Sequence, residues 1–179
     1  LGPGLGNGLA NLHNAKKART PVVNVIGDHA TFHRQYDAPL SSDVAGIAAP
    51  VSGWLKVSES ADDVARDGAE AVQASMGPPG QVASLILPAD TAWNRTEAQA
   101  DPLPKIAAQP VDTAGVESVA KALHSGKPAA ILMNGVLTEE RLVLANKIAQ
   151  KTGARIISDT FISRMRRGAG IPELSLIHI

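Results

Sequence analysis

Carboxylates, imidazoles, a guanidinium and a phenol crowd into Asp28-His29-Ala30-Thr31-Phe32-His33-Arg34-Gln35-Tyr36-Asp37, the densest run of reactive side chains in the sequence. The run follows Val22 to Ile26 and Gly27, so it falls at the C-terminal end of a predicted buried strand, the edge at which open α/β sheets bind ligands. Polar loops at such an edge are candidates for contacting a bound molecule. His29 and His33 are four residues apart and would share a helical face, but the glutamate of the zinc-protease motif and a nearby third ligand are missing. Hydrogen-bonded loop histidines are expected there, and no metal site.

A second stretch offers bare backbone instead of side chains. Gly2, Pro3, Gly4, Gly6 and Gly8 lie within the first eight residues, and glycine lets main-chain N–H groups come close to a bound group. The spacing predicts a tight turn, with Asn7 capping a helix to about Ala18 whose inward positions are Leu9, Leu12 and Ala15. The dinucleotide fingerprint G-x-G-x-x-G fits in part. Counted from Gly2 its third glycine falls on Asn7, and counted from Gly4 it falls on Leu9, while Asp28 stands near the distance of the ribose-binding acid. A nucleotide-binding module therefore stays open as an alternative, as does a noncatalytic α/β scaffold.

The elements that must position these residues alternate. After Thr20-Pro21 comes the strand Val22 to Ile26, then a short helix from Asp43 to Ala49, a strand from Val51 to Val57 and a helix from Ser60, its expected cap, to Met76. Gly77-Pro-Pro-Gly80 stops that helix, and Val82 to Leu87 is the next buried strand. Pro102, Pro104 and Pro110 among alanines and polar groups mark a linker over 94–111. A helix capped by Asp112, a strand over 128–133, a turn at Asn134-Gly135, a helix from Thr138 to Gly153 and a strand over 154–157 then begin a second α/β unit. Asn134-Gly135 is weighed as a nucleotide-contacting turn and Arg164, Arg166 and Arg167 as an anion contact, but no phosphate-binding pattern surrounds the former and a solvated loop accounts for the latter.

Composition narrows the function classes. Lys plus Arg number 17 and so do Asp plus Glu, so nothing favours an electrostatic grip on nucleic acid or an anionic membrane. With no cysteine, disulfides, thiolate metal sites and a cysteine nucleophile are excluded together, which fits a cytoplasmic protein. No apolar run approaches the roughly 20 residues needed to cross a bilayer. The start at Leu1, inside a glycine run, is expected to belong to a fragment.

Taken in order, Gly2-Pro3-Gly4-x-x-Asn7, Thr20-Pro21, the strand ending in Gly27, Pro50-Val-Ser-Gly-Trp54-Leu-Lys and Gly77-Pro-Pro-Gly80 through Pro88-Ala-Asp90 resemble the pyrimidine-binding domain of thiamine-diphosphate enzymes. The likeness is to acetolactate synthase large subunits and benzoylformate decarboxylase-like relatives. It implies a three-layer, parallel-sheet α/β domain over 1–93, the linker 94–111, the start of a Rossmann-like central domain over 112–171, and a tail over 172–179 that matches no family pattern. It implies thiamine diphosphate as cofactor, contacted by Pro3, Gly4 and Asn7, and a small 2-oxo acid as substrate. Mg²⁺ would be held by a domain absent from this chain, and FAD use is left open. The family glutamate that activates the aminopyrimidine would lie upstream, so the chain holds no catalytic residue of its own and is expected to be inactive alone. Asp28 and His29 occupy a substrate or interface loop where acetolactate synthases carry Gly-Gln. The parent enzyme would be a homodimer or homotetramer.

Overall fold

Val82 to Pro88 holds no side chain more polar than serine, and in the computed structural model it becomes the middle strand of a parallel sheet, buried on both faces. The structure describes residues 1–168, 170–172 and 174–176. The chain falls into two compact units, Leu1–Ala107 and Ala108–Ile179. In the first, α1 (Gly2–Lys17) leads to β1 (Val22–Asp28), a 3-10 turn (Thr31–Tyr36), α2 (Val44–Ala48), β2 (Trp54–Val57), α3 (Val64–Met76), β3 (Val82–Pro88) and α4 (Ala89–Trp93). The sheet order is β1-β3-β2, with Val22 opposite Val82, Asp28 opposite Pro88, and Trp54 to Val57 opposite Ala83 to Ile86.

Side chains alternate across β3, so it feeds a core on each face. On one face Ile26 and Ile86 pack with Leu5 of α1 and with Val44 and Ala48 of α2. On the other, Ala83 and Leu85 meet Ala71 of α3, joined by Trp54 and Ala74. Helices therefore cover both faces, the three-layer α/β arrangement expected from the sequence. The buried Ser84 hydroxyl accepts from Asn24 Nδ2 at 3.0 Å and lies 2.6 Å from Ser52 Oγ, which donates to Ala48 O at 2.8 Å. Its polar atom is thereby satisfied at the centre of the sheet.

The glycine-rich start differs from the expected tight turn. Residues 2–8 are already helical, Leu1 is the N-cap, and Asn7 sits inside α1 instead of capping it. Proline is preorganised for a helix's first turn, which Pro3 occupies, so the run continues the helix instead of breaking it. Gly2 is buried, and a Cβ there would collide with Ser42 and come into contact with Ile47, whereas one on Gly4 or Gly6 would meet nothing within 4 Å. Ser60 also departs from its expected capping role: its hydroxyl donates to Asp63 Oδ2 at 2.6 Å and accepts no backbone N–H of the helix.

In the second unit, α5 (Thr113–Leu123), β4 (Ala130–Leu137), α6 (Glu139–Thr152), β5 (Arg155–Met165) and β6 (Ser175–Leu176) form a parallel sheet in the order β4-β5-β6. Thr138 caps α6, accepting from Arg141 N, and Gly153 ends it at φ 73°. Leu137, Leu142, Ala145 and Ala154 are buried, whereas Val116 and Val119 of α5 are exposed. The expected turn at Asn134-Gly135 is instead an irregularity within β4: the register shifts around Gly135, at φ 77°, and the strand runs on to Leu137. Asn134 Nδ2 donates to Asp159 Oδ2 of β5 at 2.6 Å, so the neighbouring strand holds the chain extended through the bulge. Of the tail, Ser175–Leu176 pairs with β5, and residues 173 and 177–179 lie outside those described.

Candidate functional site

The parallel strands of the first unit end together at Asp28, Val57 and Pro88, and the segments leaving them form one polar edge. Asp28 organises the first: its Oδ1 accepts the His29 N–H at 2.8 Å and its Oδ2 accepts from Arg34 Nη2 at 2.8 Å, closing residues 28–34 into a loop. Asp37 ends the 3-10 turn in the left-handed region at φ 46°, a conformation that Asp tolerates better than most residues. Asp43 then caps α2, its Oδ1 accepting the Gly46 N–H at 2.8 Å.

Between these segments lies a cavity of about 440 Å³. Asp28, His29, Arg34 and Asp37 line one side, residues 41–45 another, and Val57 and Ile86 supply apolar surface. Two polar atoms of these lining residues, His29 Nε2 and Ser41 Oγ, are buried without a hydrogen-bond partner among the described residues. Native proteins satisfy nearly all such atoms, so these two are hydrogen-bonding capacity that the chain itself leaves unused beside the cavity. The ring of His29 lies 5.4 Å from that of His33, which in turn lies 5.7 Å from that of Tyr36.

The structure thus places Asp28 and His29 at the cavity. Pro3, Gly4 and Asn7 do not line it: they stand exposed on the first two turns of α1. The packing of Gly2 on Ser42 and Ile47 does set that end of α1 against the segment forming the cavity's second side. Among the described residues no group of three or more His, Asp or Glu side chains could hold a metal ion. Ser41 was not singled out from the sequence, and its only local signal is that Ser41-Ser42-Asp43 precedes a short helix. In the sequence Asp90 is marked only as the end of the Pro88-Ala-Asp90 motif. In the structure it reaches back to the reactive loop, accepting the Thr31 N–H at 2.9 Å and the Thr31 hydroxyl at 2.5 Å. These two bonds, the hydroxyl first, hold its carboxyl below the usual range.

A second polar cluster lies between β2 and α3. Asp67, 1% exposed, accepts from Ser58 Oγ at 2.9 Å and pairs with Lys56 at 2.8 Å. Lys56 also reaches Glu70 at 2.7 Å, and Asp67 first, then Glu70, raise the lysine's pKa. The Ser60 hydroxyl, then Arg66, lower that of Asp63. Every carboxylate in the cluster is partnered, as in a joint between strand and helix.

Comparison with known proteins gives the site its context. No family model matches the chain. Over 176 residues, 97% of this chain, it is 51% identical to a Mycobacterium tuberculosis protein described as "Putative acetolactate synthase large subunit IlvX". The match covers 33% of that protein, so the chain spans about a third of its relative's length. Among solved structures, a thiamine diphosphate-dependent 4-hydroxybenzoylformate decarboxylase of Rhodococcus jostii RHA1 matches 86% of this chain and 30% of its own, at 19% identity and a TM-score of 0.67. A Mycobacterium smegmatis protein described as a "putative thiamin diphosphate-dependent enzyme" matches 91% of this chain and 32% of its own, at 21% identity and a TM-score of 0.70. At those identities the two structures share this chain's fold.

Proposed function

Proceeding from the chain's similarity to the acetolactate synthase-like, thiamine-diphosphate-dependent proteins, we propose that it is part of an enzyme that decarboxylates a small 2-oxo acid and joins the product to a second one. Residues 1–93 would contribute to the pyrimidine-binding domain and 112–171 to the central domain, with 94–111 between them. The observation that carries this reading is the 51% identity over 97% of the chain. The polar cavity at the C-terminal edge of the first sheet, with two open hydrogen-bonding atoms, supports it.

The exposed first turns of α1 suit the cofactor's pyrimidine side. Gly4 leaves open space where a side chain would stand, so Pro3, Gly4 and Asn7 can lie flat against a ring supplied from outside. When bound, thiamine diphosphate supplies an electron sink for breaking the bond to the substrate carboxyl, and the protein supplies orientation. On this chain the loop Asp28–Asp37 would face the substrate, with His29 Nε2 and Ser41 Oγ as hydrogen-bonding contacts and Val57 and Ile86 excluding water. Mg²⁺ and FAD are not assigned to any residue here.

A second reading, simple decarboxylation of a benzoylformate-type acid, is favoured by the fold shared with the Rhodococcus enzyme. One experiment separates the two. The complete reading frame is purified, loaded with thiamine diphosphate and Mg²⁺, and assayed with pyruvate and with benzoylformate. Acetolactate from pyruvate is the expected product; benzaldehyde from benzoylformate alone would favour the second reading, and no cofactor-dependent turnover of either would remove both.

A further inference from the structure

We infer that Asp90 is a positioning residue for the loop carrying His29, an inference that rests on the reading above only for the statement that this loop faces substrate. The 3-10 turn Thr31–Tyr36 has Ala30 as its N-cap and receives no capping bond from a neighbouring side chain. Its first N–H is taken up instead by a residue 59 positions later in the chain, and Asp90 grips Thr31 twice, at the backbone and at the hydroxyl. A carboxylate accepting two bonds from one residue restrains both position and orientation.

The grip stands on fixed ground. Asp90 lies in the first turn of α4, two residues past Pro88, the buried last residue of β3, and the buried Thr91 beside it donates to Pro88 O at 2.8 Å. The opposite side of the loop is held by Asp28, at the end of the neighbouring strand and in register with Pro88. Asp28 at the end of β1 and Asp90 just past the end of β3 thus each hold part of the loop, and the His29, His33 and Tyr36 rings lie along it. Asp28 alone would leave the start of the turn uncapped and the distance from His29 Nε2 to the cavity variable. With Asp90 the first N–H of the turn and the Thr31 hydroxyl are both held.

The test uses this 179-residue chain, without cofactor or substrate, and follows amide hydrogen exchange and histidine ring resonances by NMR. In Asp90→Ala and Thr31→Val, exchange across residues 31–36 should rise about tenfold or more, the scale of losing a charge-assisted bond. The His29 and His33 ring signals should move toward those of unstructured histidine, while β3 amides keep their protection. Thr31→Ser, which retains both donors, should behave as wild type. If Asp90→Ala fails to fold, the exposed Thr31 pair decides alone. Unchanged loop exchange and ring signals in the Val variant, or a rise spread evenly over β1 and β3, would overturn the inference. Because this readout needs no turnover, an inactive parent enzyme would count against the proposed function and leave the role of Asp90 standing.

Discussion

Asp67 and Asp90 are both partnered carboxylates, but they answer to different perturbations because one is buried and the other faces the loop edge. Asp67→Ala removes a buried acceptor from Ser58, Lys56 and Arg66 at once. It should cost about 2–3 kcal/mol in urea denaturation, since Lys56 is exposed enough to recover water while Ser58 is not. Asp90 should show itself through acid. Its pKa is lower folded than unfolded, so its contribution is present above about pH 3.9 and is lost as pH falls through the lowered folded value. The Thr31 amide resonance should therefore stay constant down to about pH 4 and shift below it. Lys56 has the opposite sign: its raised pKa makes its contribution complete below about pH 10.4 and lost as pH climbs through the higher folded value.

At the scale of the element, packing and the proposed cofactor contact make opposite demands on the glycines of α1. Gly2→Ala must push the Ser42 side chain aside and should destabilise the first unit by about 1–3 kcal/mol. Gly4→Ala meets open space inside a helix and should stabilise the chain by about 0.5–1 kcal/mol. In the complete enzyme the same Gly4→Ala should weaken thiamine diphosphate binding, because the added methyl fills the surface proposed to lie against the ring. Thermal melts of the chain and cofactor titration of the full protein read the two effects separately. A stabilised chain with unchanged cofactor affinity would remove Gly4 from the site.

For the molecule as a whole, the division into two units makes a prediction about the segment 95–112, which carries no regular secondary structure. Its earlier part is tied to the first unit, Thr96 to Asp62 and Pro104 O to Gln73 Nε2. Lys105 lies just beyond the second tie and is exposed. Brief trypsin treatment should therefore cut first after Lys105, and mass spectrometry should recover a piece ending there that retains its far-UV circular dichroism. Early cutting within β3 or α3 would show that the first unit is not a stable body.

By itself the sequence determined most of the alternation of strands and helices, the parallel α/β class, the likeness to thiamine-diphosphate-dependent proteins, and the loop 28–37 as a dense run of polar side chains at a strand end. Each of these rests on local signals: apolar runs, caps, proline and glycine punctuation, and residues close together along the chain. What only the tertiary structure decided depends on groups brought together from distant positions. Ser84 finds Ser52 and Asn24, Asn134 finds Asp159 and turns an apparent stop into a bulge, and Gly2, at the start of a helix begun by Pro3, is buried against Ser42. Asp90 reaches Thr31 because Asp28 and Pro88 are partners in neighbouring parallel strands, and no periodicity within either segment encodes that pairing. Local chemistry writes the elements, while the register between strands chooses which of their ends meet.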